Sequence, residues 1–228
     1  MFSHSETLSF SSRSNVIIWL SLALQAGAIN AGGLMACHKF VTHTTGFATF
    51  FGTELAQGNL DTAIGVLAVP VFFLAGAMIS GFIIDRRIQT NRQPLYFIIW
   101  LMMSVLLGIV SFAGAAGSFG EFGKPLNIYS DFSLLAMLCL ASGLQNATIT
   151  SAFGAIVRTT HLTGITTDLG LGLVRILSHS HKVQSRANEI KATWLRFGLI
   201  FSFGFGSLLG AFAYLQYDYF GFILPFTI

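Results

Sequence analysis

The sequence predicts an all-α integral membrane protein of two inverted repeats, with about five full transmembrane helices and two re-entrant or broken polar helices. Composition is the first reason. Hydrophobic residues make up 54% of the 228 residues and charged residues only 9%, whereas a soluble domain has roughly a quarter of its residues charged. The other two reasons are a series of long apolar runs and an internal repeat.

The repeat consists of two threonine-rich stretches that interrupt the apolar sequence, 40–57 (FVTHTTGFATFFGTELAQ) and 157–175 (VRTTHLTGITTDLGLGLVR). An apolar segment with a glutamine and an asparagine precedes each stretch, and such self-similarity marks the unit of architecture. At an offset of 118 positions, Thr42-His43 coincides with Thr160-His161, Thr45-Gly46 with Thr163-Gly164, and Thr49 with Thr167.

Five apolar runs are long enough to cross a bilayer, which needs about 20 residues. In chain order they are 16–35, 62–84, 95–116, 132–153 and 194–215. The first run also has an alternative reading as a cleaved signal peptide. The repeat counterparts of its Gln25 and Asn30, which are Gln145 and Asn146, favour a retained helix.

These runs define one transmembrane domain, 15–228, after a polar cytoplasmic tail, 1–14. We expect repeat one at about 15–84, a linking helix at about 95–117 and repeat two at about 132–217. The apolar tail 219–228 is too short to cross, and an interfacial position suits it.

Loop charge predicts the orientation, because short cytoplasmic loops collect Lys and Arg. The stretches 85–94 and 175–191 are basic, and 117–131 is nearly neutral. If 163–177 crossed the membrane, the basic stretch after it would lie outside. If this segment enters the membrane and returns to the same side, both basic stretches lie in the cytoplasm. As a helix its 15 residues span about 22 Å, less than the ~30 Å hydrocarbon core. We therefore expect a cytoplasmic N-terminus and inverted repeats, with six to seven full helices as the alternative.

Two segments, AGAIN…FVTHTTG and ASGLQNATITSAFGAIVRTTHLTGITTDLGLGL, resemble the signature regions of the YoaK-like family of bacterial membrane proteins, whose function is unknown. The second segment carries the LQNA box followed by VRTT, TG and TDLG. In the first segment, family members usually have Asp where this chain has Asn30, and Asn where it has Phe47. The resemblance implies a multi-pass protein of the bacterial inner membrane, and it implies no substrate or reaction.

The two polar stretches are the expected site. Irregular backbone at membrane depth is tolerated only where protein buries it or water lines it, and broken helices in inverted repeats are typical of transporters. Threonine hydroxyls are expected to cap the half-helices, while Gly46 and Gly164 allow close backbone approach. The alternative is that these small residues only pack helices together. The candidate substrate-binding residues are Asn30, Thr45, Gly46, Thr49, Gln145, Asn146, Thr160, His161, Thr163, Gly164, Thr167 and Asp168.

Asp168 is the most informative single residue, because an acid inside a membrane marks a functional site by default. It either lines a solute pathway or pairs with Arg175 or Arg158 near the cytoplasmic mouth. Glu54 is expected in the outer interface, and Gly206 and Gly210 are expected to form a helix contact.

We therefore expect a transporter or channel for a small solute or ion, with its site between the two TH-x-TG elements. The alternative is a non-transport accessory or assembly protein, or an intramembrane enzyme that uses His161 and Asp168. The first expectation needs a polar cavity where Asn30, Thr49, Asn146 and Thr167 converge. No enzymatic activity, catalytic residue, metal or cofactor is expected. The expected partners are the lipid bilayer and the solute, not nucleic acid, and homo-oligomerisation is left open.

Overall fold

Helices make up nearly all of the computed structural model, which describes residues 13–124, 128–153, 161–178 and 183–228. No strand occurs in these ranges. A π-helical segment, Gly81–Asp85, continues α3 into α4, and a 3-10 segment, Asp218–Phe222, joins α8 to α9. The helices are α1 Arg13–Cys37, α2 Thr45–Ala56, α3 Leu60–Ser80, α4 Arg86–Gln89, α5 Tyr96–Ala115, α6 Ile128–Phe153, α7 Leu162–Leu177, α8 Val183–Tyr217 and α9 Ile223–Thr227.

Five helices are long and apolar enough to cross a membrane. They cover Ser14–Cys37, Leu60–Gln89, Tyr96–Ala115, Phe132–Ala152 and Arg186–Thr227. Each coincides with one of the predicted apolar runs, of which 95–116 and 132–153 extend one residue beyond the helix that holds them. The threonine-rich stretches form the two short helices α2 and α7, whose 12 and 16 residues extend only about 18 and 24 Å.

The most extensive packing joins α1 to α8 and α3 to α6, so the first helix of each repeat lies against the third helix of the other. Both pairs run parallel. Along α1 and α8, Leu24 lies against Gly206 and Ala28 against Gly210. Along α3 and α6, Gly76 lies against Leu140 and Leu144, and Ser80 hydrogen-bonds to Thr148 at 2.9 Å.

By contrast, α1 and α6 pass each other in opposite directions. Near the start of α1, Trp19 shares a hydrophobic cluster with Ile149, close to the end of α6. In the middle, Gln145 Nε2 donates to Gln25 Oε1 at 2.8 Å. Val41 follows α1 in the chain and lies against Gly33 of that helix. Its carbonyl accepts a weak hydrogen bond from Cys139, nearer the start of α6. Helices α1 and α8 therefore run one way, and α3 and α6 the other.

The two ends of this bundle differ in charge. We call the end where α1, α5 and α8 begin the basic end, and the other the opposite end. Among the described side chains, the charged residues at the basic end are Asp85, Arg86, Arg87, Arg92, Arg175, Arg186, Glu189, Lys191 and Arg196, and those at the opposite end are Lys39, Glu54, Asp61, Glu121, Lys124 and Asp218.

The C-terminal tail does not lie at the surface as expected, but folds back into the bundle. Tyr219, Phe222 and Pro225 are buried, and the carbonyl of Pro225 accepts a 2.8 Å hydrogen bond from Gln25 Nε2 in α1. Space for the tail comes from a glycine, since a Cβ at Gly114 would overlap the Tyr219 ring. Aromatic burial against α5 and α1 therefore outweighs the interfacial preference.

Candidate functional site

The segment between α1 and α2 turns back along α1. Asn30 Oδ1 accepts two hydrogen bonds from Thr42, from its N–H at 3.3 Å and from its hydroxyl at 2.9 Å. Asn30 lies seven residues before Cys37, the end of α1, which is about 10 Å along the helix axis. Helix α2 therefore begins beside the middle turns of α1 and not beside its last turn.

A hydrogen-bond chain fixes the orientation of the groups at this return. Thr42 N–H can only donate, so the Asn30 atom that it contacts is the carbonyl oxygen. The Thr42 hydroxyl gives its one proton to that same oxygen, so it accepts from His43 Nδ1, which lies 2.7 Å away. His43 thus carries a proton on Nδ1, and the amide NH₂ of Asn30 is left for another partner.

The second repeat has the corresponding contact. Asn146 Nδ2 and His161 Nε2 are 3.2 Å apart, and Asn146 lies seven residues before Phe153, the end of α6. His161 directly precedes α7, so this helix also begins about 10 Å inside the end of a long helix. Thr160, one of the predicted site residues, lies outside the described residues, within the gap 154–160.

The two returns bring their histidines together. His43 and His161 lie within electrostatic range of each other. His43 also meets the ring of Phe203 edge-on, with 6.3 Å between ring centroids. Phe203 belongs to the part of α8 that packs against Gly27, near the middle of α1. The start of α2 therefore lies near mid-height of the bundle, within electrostatic range of the residue that precedes α7.

A cavity of about 280 Å³ lies at the start of α2, which is about nine times the volume that one water occupies in the liquid. Its described wall combines four phenylalanine rings with a small polar group, and it contains no acidic side chain. The N-cap residue of α2, Thr44, makes no side-chain capping bond. The lining residues are Asn30, Phe40, His43, Thr45, Gly46, Phe47, Phe50 and Phe203.

The cavity gathers only part of the predicted site. Three of the predicted residues, Asn30, Thr45 and Gly46, line it. Thr49 and Thr167 are exposed, and the hydroxyl of each donates a hydrogen bond to the carbonyl four residues earlier in its own helix. The other described candidates lie elsewhere: Gln145 and Asn146 are buried in α6, Gly164 is half-buried, and His161, Thr163 and Asp168 are exposed.

Two detailed expectations about the half-helix starts are wrong. A Cβ at Gly46 would meet no atom within 4 Å, so this glycine serves no close backbone approach. The cap of α2 also differs, because its N-cap residue Thr44 makes no side-chain capping bond; at α7 the N-cap is His161, and Thr160 lies outside the described residues. Thr42 instead uses its hydroxyl to hold Asn30.

Of the two arginines that the pairing alternative offered to Asp168, Arg158 lies outside the described residues and Arg175 has another partner. Its Nη1 lies 3.8 Å from Glu189 Oε1, and Arg196 contacts the same oxygen at 2.8 Å. Asp168 is exposed and makes no ion pair with any described residue. Glu189 on α8 lies within reach because α7 packs lengthwise on α8, a tertiary contact that helix periodicity does not reveal.

Sequence reasoning missed the aromatic wall. Phe40, Phe47 and Phe50 stand inside the first threonine-rich stretch, and Lys39 Nζ lies 4.0 Å from the centroid of the Phe50 ring. The clustering of these phenylalanines around TH-x-TG was the available signal. Phe203 gave no such signal, because it is one of many phenylalanines in α8. Within the described chain, no group of three or more His, Cys, Asp or Glu is placed to hold a metal ion.

Comparison with known proteins gives one match. A sequence model of a family described as a protein of unknown function (DUF1275) matches residues 18–228. This agrees with the uncharacterised YoaK-like family to which the motifs pointed. No curated protein and no solved structure matches the chain.

Proposed function

The chain belongs to the DUF1275 family, and from that premise we propose that it is a multi-pass protein of the bacterial inner membrane that transports a small solute or ion. The pathway passes between the starts of α2 and α7. The observation that carries this proposal is the cavity of about 280 Å³ at the start of α2. Of the four residues expected to converge on a polar cavity, only Asn30 lines it; a dry, filled centre would instead favour an accessory role.

The proposal includes five crossings and two re-entrant helices. Because α1 and α3 run in opposite directions, α1 ends and α3 begins at the same end of the bundle, and α2 enters and leaves there. At the basic end, α6 ends and α8 begins, because these two helices also run in opposite directions. Helix α7, which connects them in the chain, therefore enters and leaves at the basic end. Seven crossings would require α1 and α6 to run parallel, contrary to the contacts of Trp19 and Gln25 with α6.

These relations support the proposal that the two halves are inverted repeats. Each half contributes a long helix, a return, a short helix and a second long helix, and its first helix packs on the third helix of the other half. Transporters with this plan bind solute near the midplane, where the broken helices meet. In each half an asparagine of the first long helix contacts a residue shortly before the short helix, Asn30 with Thr42 and Asn146 with His161.

The starts of α2 and α7 support a water-accessible pathway. The first N–H groups of a helix have no partner within it, and an unsatisfied N–H in hydrocarbon costs several kcal/mol. Thr45 and Gly46, in the first turn of α2, line the cavity. Water or solute in the cavity satisfies these groups, whereas lipid does not.

Charge orients the protein. Arg86, Arg87, Arg175 and Arg186 lie at the basic end, whereas acids predominate among the charged residues described at the opposite end. By the positive-inside rule, the basic end faces the cytoplasm, and so does the start of α1. Helix α7 then enters from the cytoplasm and α2 from the outside.

Filling the cavity tests the proposal. Gly46 lines the cavity, and a side chain there meets no atom within 4 Å of its Cβ, so Gly46→Leu should fold and obstruct the pathway. Purified protein is reconstituted into liposomes, and the entry of anionic, neutral and cationic small solutes is followed by light scattering. We expect one solute class to enter, and Gly46→Leu to slow it at least about tenfold.

Gly52→Leu is the matched control. Gly52 lies in the same helix and is equally open, but it is not among the lining residues, so its replacement should leave entry unchanged. Entry no faster than in protein-free liposomes for every solute would contradict transport and favour the accessory role. Equal effects of the two replacements would remove the cavity from the pathway.

A further inference from the structure

We infer that the cavity at the start of α2 selects a small monocarboxylate with an apolar body. This rests on the proposed function, since it names the class of solute that the same site binds. The cavity offers free hydrogen-bond donors, its described lining contains no acid, and a lysine already lies over one of its aromatic rings.

The first donor is the amide of Asn30. This side chain is only 6% exposed, and Thr42 holds its oxygen through two hydrogen bonds. Its Nδ2 makes no hydrogen bond within the described chain, and it is not among the buried unpaired atoms that are sealed from solvent. Asn30 lines the cavity, so the NH₂ group is a buried donor available to a molecule there.

The second set of donors is the start of α2. Thr45 and Gly46 line the cavity, and the N-cap residue provides no side-chain bond to the first turn. The N–H groups of a first helical turn attract anions, because they are unpaired and lie at the positive end of the helix dipole. Asn30 and these N–H groups therefore offer hydrogen bonds to one negatively charged group.

A cation is disfavoured in the same space. No acid is among the described residues that line the cavity, and hydrogen bonds to a charged acceptor are roughly twice as strong as neutral ones. Aromatic faces attract cations, but the Phe50 ring already holds the ammonium of Lys39 at 4.0 Å. That lysine adds positive charge beside the cavity.

The remaining wall gives the solute its apolar part. Four phenylalanine rings, those of Phe40, Phe47, Phe50 and Phe203, make up the apolar part of the lining. A small inorganic anion would leave these rings facing water. A carboxylate with a hydrocarbon or aromatic body places its charge at Asn30 and buries its body among the rings, and about 280 Å³ lies just below the usual range for drug-sized ligands.

Three isosteric probes test this inference: benzoate, benzamide and benzamidinium, which are anionic, neutral and cationic. Each is titrated into the purified full-length protein, and its dissociation constant is obtained from the rise in melting temperature, since a ligand of the folded state stabilises it. We expect benzoate to bind at least about tenfold more tightly than benzamide, and benzamidinium to give no shift.

Asn30→Asp places a negative charge where the donor was, while its oxygen still accepts from Thr42. We expect it to weaken benzoate binding at least about tenfold. Asn91→Asp adds the same charge in an exposed loop and should leave binding unchanged. If Asn30→Asp does not fold, Gly46→Leu provides the second test, because filling the cavity should also abolish the benzoate shift.

Each other outcome overturns the inference. Tighter binding of benzamide or benzamidinium would show a site of another class, and transport of that class would remain intact. No shift with any probe would exclude an apolar carboxylate, while solute entry that is sensitive to Gly46→Leu would still support transport. Benzoate binding unaffected by both Asn30→Asp and Gly46→Leu would place the anion elsewhere.

Discussion

Glu189 holds together α7 and α8 at the basic end, because two arginines share its carboxylate. Its side chain is 21% exposed and that of Arg196 18% exposed, so this pair is screened less than a surface ion pair. Arg175 brings α7 to the same carboxylate. Asp168, by contrast, is exposed and takes no part in this cluster.

We therefore predict different costs for two neutral isosteres. Glu189→Gln should lower the free energy of unfolding by roughly 1–3 kcal/mol, less than the 3–5 kcal/mol for a fully buried pair. Asp168→Asn should change it by no more than about 0.5 kcal/mol, as at other exposed positions. Denaturant unfolding in detergent measures both. A larger loss for Asp168→Asn would restore the pairing expected from the sequence.

At this scale, the sequence identifies candidate side chains but not the partners that they contact. Asn30 and Asn146 were chosen because each precedes a threonine-rich stretch, and each anchors the return that follows it. The Thr42–Asn30 bond and the Arg175–Glu189 pair were not predictable. Both are tertiary contacts between separate segments, and local sequence periodicity does not predict such contacts.

At the scale of elements, glycines set the distances between the long helices. A Cβ at Gly143 in α6 would overlap the carbonyl oxygen of Phe73 in α3, and one at Gly27 in α1 would overlap that of Phe203 in α8. The predicted contact through Gly206 and Gly210 is of the same kind. Close backbone approach of this sort is typical of packing between membrane helices.

We predict that Gly143→Ala destabilises the protein by about 1–3 kcal/mol, the usual cost of overpacking, because α3 and α6 must move apart. Gly204→Ala in α8 is the control, since a Cβ there meets no atom within 4 Å. It should be neutral or slightly stabilising, because alanine favours helix. Thermal unfolding of both variants measures the difference. Equal stability would show that the α3–α6 contact is loose.

The long helices were predictable because span length and apolarity are local properties. Each of the five predicted runs matches one of the five long apolar helices to within a few residues at most ends, and the threonine-rich stretches were predicted as separate polar helices. The path of the tail was not predictable. Its apolar and aromatic residues predicted a position at the membrane interface, yet the carbonyl of Pro225 accepts a hydrogen bond from Gln25 in α1. The tail fits there because Gly114 leaves room for the Tyr219 ring beside α5.

At the scale of the whole molecule, the repeats exchange partners. The offset of 118 positions identifies equivalent residues, but it does not say that α1 packs on α8 and α3 on α6. That exchange places the starts of α2 and α7 in the same region, because each short helix packs on the third helix of its own repeat. The cavity thus results from the arrangement of both repeats and from neither alone.

The central claim is that α2 and α7 enter the membrane from opposite sides and return. Single cysteines at Asn59, which follows α2, and at Ser178, which follows α7, test it with a membrane-impermeant thiol reagent. Both positions are exposed, and the native Cys37 and Cys139 are buried, so the unmodified chain is the blank. Asn91→Cys, at the basic end, reports the cytoplasmic side.

The account predicts that Asn59→Cys is labelled in intact cells, and that Ser178→Cys and Asn91→Cys are labelled only in inverted membrane vesicles. Five crossings with two returning helices put Asn59 outside and Ser178 in the cytoplasm. Seven crossings would put both positions on the same side. Labelling of Asn59→Cys and Ser178→Cys from one side would therefore contradict the re-entrant helices and the pathway between them.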